Sequence, residues 1–153
     1  MSNINVEVTG SVPRFSQRDI AAFARKVILL LDKMGKIPEE ISDASIAFVD
    51  DEAMTELNSR FRKKNKTTDV LTFPADDSYG DPKRKGRGRP LGDIVISVDQ
   101  ARRQAADEKH SLPTEVRYLI VHGILHALGF DHESDKGEMN SLETEVRELV
   151  GLA

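Results

Sequence analysis

Three of the chain's four histidines fall in the stretch His122-Gly-Ile-Leu-His126-Ala-Leu-Gly129-Phe-Asp131-His132. If 113–128 forms a helix, His122 and His126 stand one turn apart on one face, and their imidazoles can converge on a single ion. Two ligands from one helix do not complete a site. Gly129 can take the left-handed conformation that ends a helix, which would turn the chain and return His132 toward the other two rings. Three nitrogen donors with an open position are the arrangement of catalytic zinc, whereas structural zinc is usually closed by four ligands rich in cysteine. This chain has no cysteine. The expectation is one Zn2+ per chain on His122, His126 and His132, with Ni, Cu or Fe compatible with the same ligand type. Zinc peptidases with this spacing carry Glu directly after the first His as general base. Here that position is Gly123, so a metal-activated water would need another proton acceptor, such as Asp131 or Glu133.

The elements that must position these residues follow from periodicity and from turn signals. Alternation over 4–8 predicts a first strand. Ser16 is a candidate N-cap for a helix over 17–34, closed by Gly35, with Ile20, Phe23, Ala24, Val27, Leu30 and Leu31 on its packing face. The apolar run 44–49 predicts a buried strand, and Asp50 or Asp51 caps the helix after it, which carries Met54, Leu57 and Phe61 on one side. A short strand over 70–73 is stopped by Pro74, and 75–90, rich in Asp, Gly, Pro, Lys and Arg, reads as a surface loop. Residues 91–97 give the strongest strand signal, followed by a helix over 98–109. Ser111 and Pro113 open the histidine helix, and a last helix over 135–150 covers the core with Met139, Leu142, Val146 and Leu149. Four strands and five helices make an α+β chain in which 1–153 is a single domain.

Composition narrows the setting. With 39% hydrophobic and 31% charged residues among 153, the chain can bury one core and is globular rather than disordered. No apolar run approaches the roughly 20 residues that span a bilayer, and Met-Ser-Asn-Ile-Asn-Val-Glu lacks the pattern of a signal peptide, so a cytoplasmic protein without a membrane partner is expected. The net charge of −4 does not suggest a polyanion partner, but ten of the 22 basic residues fall within 60–66 and 83–89. Local positive surface of this kind can steer a polyanion. Lys63, Lys64, Lys83, Arg84 and Lys85 are therefore candidate polyanion-binding residues, and if the polyanion is the RNA that the resemblance below implies, their contacts would be directed at phosphates.

Four motifs in order carry a resemblance to a known family: Leu57-Asn-Ser-Arg-Phe-Arg62, Thr68-Asp-Val-Leu-Thr-Phe-Pro74, Leu91-Gly-Asp-Ile-Val-Ile-Ser97 and the histidine stretch 122–132. Together they resemble the YbeY family, metal-dependent endoribonucleases of ribosomal RNA maturation. The resemblance implies a single-domain fold with a small mixed sheet, zinc on the three histidines of the central helix, and a cleft used on RNA. It implies a functional role for Arg62. It also implies cleavage of single-stranded RNA, maturation of the 16S 3′ end and ribosome quality control, with the small ribosomal subunit, ribosomal proteins and a ribosome-assembly GTPase as partners. The chain departs from the family pattern at Lys63-Lys64-Asn65 and Thr67, and has Phe61 and Phe130 where Tyr is usual.

Chemically, a zinc ion with open positions can polarise a phosphoryl oxygen or lower the pKa of bound water to about 7. An arginine can clamp a phosphate bidentately as negative charge develops. The leading expectation is a metal-dependent endoribonuclease with Arg62 catalytic. Two others stand beside it: a zinc peptidase-like hydrolase, and an RNA-binding assembly factor whose zinc only stabilises the fold.

Overall fold

The structure, a computed structural model, describes residues 3–62, 68–75, 88–130 and 137–152. Within them the chain runs β1 (Asn5–Thr9), α1 (Gln17–Lys33), β2 (Ile41–Val49), α2 (Asp51–Arg62), β3 (Val70–Pro74), β4 (Arg89–Ser97), α3 (Val98–Glu108), α4 (Leu112–Ala127) and α5 (Glu138–Leu149). The sheet order is β1-β2-β4-β3; β1, β2 and β4 are parallel and β3 is antiparallel to β4. This is the small mixed four-stranded sheet with five helices expected of an α+β chain.

Local chemistry explains most of the boundaries. The Ser16 hydroxyl accepts from Asp19 N–H at 3.1 Å to start α1, and Gly35 at φ 74° ends it, its N–H bonded to Asp32 O. The Asp50 carboxylate caps α2 through Ala53 N–H at 2.8 Å. Asp51 has a different role: its carboxylate accepts from the Ser97 hydroxyl at 3.0 Å and pairs with Arg103 at 2.8 Å, joining α2 to α3. Ser97 and Ser111 cap α3 and α4 through Gln100 and Thr114 N–H.

Two strands are longer than periodicity suggests. β2 starts at Ile41 rather than 44, and β4 at Arg89 rather than 91, because Ile41 pairs with Arg89 and Asp43 with Pro90 across an irregular register. The basic stretch 83–89 therefore ends inside the sheet, with Arg89 N–H on Glu40 O at 2.7 Å.

The main core lies on one face of the sheet, where α1, α4 and α5 pack. Ile94 and Ile96 of β4 belong to it, while Val95 joins Met54 and Leu71 in a second cluster beneath α2. Burial on both faces explains why 94–96 reads as an unbroken apolar run. Central to the packing is α4, whose Val116, Ile120, Val121, Ile124 and Leu125 have no exposed surface. Gly123 lets it approach the sheet closely, since a Cβ there would lie 2.8 Å from Ile94 Cγ2.

Candidate metal and phosphate cleft

The two histidines of α4 lie toward its C-terminal end, on the edge left open by the core-facing residues. Their rings meet edge to face at 4.5 Å between centroids, and the two Nε2 atoms are 3.0 Å apart. The helix stops as expected: Gly129 adopts φ 100° and its N–H bonds to His126 O at 2.9 Å. The predicted third ligand, His132, lies outside the described residues, as do Asp131 and Glu133. Among the described residues no group of three His, Cys, Asp or Glu side chains is placed to hold a metal.

The pair still fits a zinc ion on its own geometry. Nitrogens held about 2.0–2.1 Å from one tetrahedral ion are roughly 3.3 Å apart. The observed 3.0 Å separation already aims both Nε2 atoms at one region.

The opposite wall of the cleft comes from α2 and β3. A cavity of about 310 Å³ is lined by Arg62, Thr68, Asp69, Val70, Thr72 and Pro74 together with His122 and His126. Arg62 reaches this place because α2 ends against β3: the Phe61 and Phe73 rings meet edge to face, 5.3 Å between centroids. Asp69 is anchored twice, its Oδ1 accepting from Val70 N–H at 2.8 Å and its carbonyl from Ser97 N–H at 2.9 Å. The structure thus unites Arg62 with two of the three predicted ligands. Lys63, Lys64, Lys83, Arg84 and Lys85 lie outside the described residues.

Gly123 explains why no peptidase base stands after the first histidine. That position faces Ile94 in the sheet, so a side chain there would press into the core rather than enter the cleft.

Two participants were not singled out from the sequence. Asp69 appears there only within the 68–74 motif, without a role of its own, yet it is the acidic residue among the described lining of the cleft. Glu143 in α5 is only 6% exposed, with Oε1 2.6 Å from His122 Nδ1 and Oε2 2.8 Å from Arg147. Its position held a signal: with Met139, Leu142 and Val146 it completes the i, i+3, i+4, i+7 stripe of a buried face, where a carboxylate requires a partner. A second cavity of about 500 Å³ opens behind His122, and Asp69 and His122 line both cavities. At its far side the fourth histidine, His110, holds buried Glu115 at 2.6 Å, and Gln104 bonds the other oxygen at 2.8 Å. This cluster braces the junction of α3 with α4.

Comparison with known proteins agrees with this architecture. The family model described as Endoribonuclease YbeY matches residues 5–151. A protein named Endoribonuclease YbeY from Nautilia profundicola is 43% identical over 124 residues, 80% of this chain and 84% of that one. One of the same name from Aquifex aeolicus is 48% identical over 107 residues, 70% of this chain and 65% of that one. A Myxococcus xanthus relative is 38% identical over 95% of this chain, which spans 47% of that protein's length. The solution structure of a Thermotoga maritima protein shares the fold, with a TM-score of 0.60 at 23% identity over 95% of this chain and 89% of that one. Identity at this level, across a match that takes in all of β1 through α5, means that the chain belongs to the YbeY endoribonuclease family.

Proposed function

We propose that this protein is a zinc-dependent endoribonuclease that cuts single-stranded RNA, with His122, His126 and His132 holding the metal and Arg62 acting on the scissile phosphate. The observation that carries this reading is the single cleft lined by Arg62, His122 and His126. Family membership supports RNA as the substrate. The resemblance in motifs supports the finer assignment: maturation of the 16S 3′ end and ribosome quality control in the cytoplasm, on the small subunit with its proteins and an assembly GTPase. No described helix is long and apolar enough to cross a membrane.

When bound, zinc supplies a Lewis acid and lowers the pKa of a coordinated water. The chain's own groups do the rest. Arg62 lines the cleft, is always charged and is shaped for two-point contact with a phosphate, so it can meet the charge that develops on the phosphoryl oxygens. Asp69, held in place by Val70 N–H, offers a carboxylate oxygen on the cleft wall to take a proton. The Gly123 position cannot serve, and this weighs against the peptidase reading.

The test is to load the purified protein with zinc and incubate it with structured ribosomal RNA and, separately, with casein. Cleavage of RNA alone is expected. Cleavage of casein would favour the peptidase, and RNA binding without cleavage would favour the assembly factor.

A further inference from the structure

We propose that Glu143 is a positioning residue that sets the tautomer of His122, and that Arg147 gives it that power; the proposal rests on the zinc reading above. The chain of contacts starts in α5. Arg147 lies over the Tyr118 ring, 4.5 Å from its centroid, and the Tyr118 hydroxyl donates to Leu152 O at 2.7 Å. From that anchored place Arg147 donates to Glu143 Oε2 at 2.8 Å, while Glu143 Oε1 sits 2.6 Å from His122 Nδ1. A carboxylate paired with arginine only accepts hydrogen bonds. His122 must therefore carry its proton on Nδ1.

A neutral imidazole has one N–H, so Nε2 of His122 is left with its lone pair. That atom points at Nε2 of His126, 3.0 Å away, in the region where both ligands converge. Glu143 thus prepares the nitrogen that would face the metal, as carboxylates behind ligating histidines do. The opposite tautomer would put a proton there instead.

The device uses both oxygens of Glu143, one facing each of the two described groups, His122 Nδ1 and the Arg147 guanidinium. Glu143→Gln keeps the shape but has one oxygen. The cation of Arg147 makes the stronger hydrogen bond and takes that oxygen, which turns the amide NH2 toward His122. Facing a donor, Nδ1 must accept, and the proton moves to Nε2. Removing the competing cation as well, in Glu143→Gln with Arg147→Met, frees the amide oxygen to accept from Nδ1–H again. Methionine keeps an apolar chain against Tyr118.

Three proteins are compared: wild type, E143Q and E143Q/R147M, each checked for folding by thermal unfolding. Long-range 1H–15N NMR on metal-free protein reads the tautomer of His122, and competition with a chromogenic chelator reads zinc affinity. Wild type should show Nδ1–H and E143Q Nε2–H, with zinc bound about 10- to 100-fold more weakly by E143Q. The double variant should recover the wild-type tautomer and most of the affinity. An unchanged tautomer in E143Q, or a double variant no better than E143Q, would overturn the proposal and leave Glu143 a packing residue. If wild type binds no zinc, the zinc reading fails, while the NMR comparison still decides the role of Glu143.

Discussion

Phe61 and Phe73 meet edge to face, with ring centroids 5.3 Å apart and planes inclined at 75°, and this contact ties the last turn of α2 to β3 beside Arg62. Phe61 is 58% exposed, so its ring contributes little to the core. An aromatic pair of this kind is worth about 0.5–1.5 kcal/mol beyond area burial. Phe61→Ala should therefore lower stability by only about 0.5–1.5 kcal/mol but reduce RNA cleavage several-fold, because Arg62 loses its brace. Urea unfolding alongside cleavage rates checks this. Unchanged cleavage would mean that Arg62 is placed by something else.

Gly123 offers a test of the packing beneath the site. An alanine gains about 1 kcal/mol in helix propensity, whereas overpacking a close-fitted core costs typically 1–3 kcal/mol. The added Cβ would lie 2.8 Å from Ile94 Cγ2, a methyl on a branched carbon that cannot swing aside. The steric cost should win. Gly123→Ala is expected to unfold at lower urea concentration, and Gly123→Glu lower still with no gain of peptidase activity. A more stable Gly123→Ala would show that α4 can lift off the sheet freely.

How far the sequence carries depends on where each cause lies. The histidine helix was legible because its signals are local: Ser111 caps it, Pro113 sits in its first turn and Gly129 ends it. The first residues of β2 were not, since Ile41 and Asp43 are strand only by pairing with Arg89 and Pro90 across the sheet. The order β1-β2-β4-β3 depends on the same distant pairings. At the site, spacing singled out His122 and His126, whose rings the structure brings together, while Arg62 came from motif resemblance; its arrival in the same cleft depends on α2 packing against β3. Glu143 broke the apolar stripe of α5 visibly, yet nothing in α5 names a histidine 21 residues away as its partner.

The metal prediction concerns His126. The wild-type protein should carry about one zinc per chain, and His126→Ala should lose it, since one fewer imidazole leaves an incomplete donor set. His126 ends a helix whose buried face it does not supply, so the fold should persist in circular dichroism. Elemental analysis that finds stoichiometric zinc in His126→Ala, or none in wild type after refolding with zinc, would contradict the ligand assignment.

A separate prediction addresses the basic residues 83–85. If Lys83, Arg84 and Lys85 grip phosphates, replacing all three with Ser should weaken RNA binding equally for different sequences. The salt dependence of binding should also become shallower by up to about three phosphate contacts. Titrations at several salt concentrations measure it, and an unchanged slope would remove these residues from the interface.

Arg62 and a histidine-bound metal are expected to act together on one phosphate. Arg62→Lys keeps the charge but loses the planar two-point contact. The direct measurement is single-turnover cleavage of a 16S 3′-end RNA fragment by wild type and Arg62→Lys, each with confirmed zinc content and matched RNA affinity. A contact made mainly in the transition state predicts a rate loss on the order of 10²-fold with binding little changed. Equal rates in the two proteins would mean that Arg62 makes no two-point contact in the transition state.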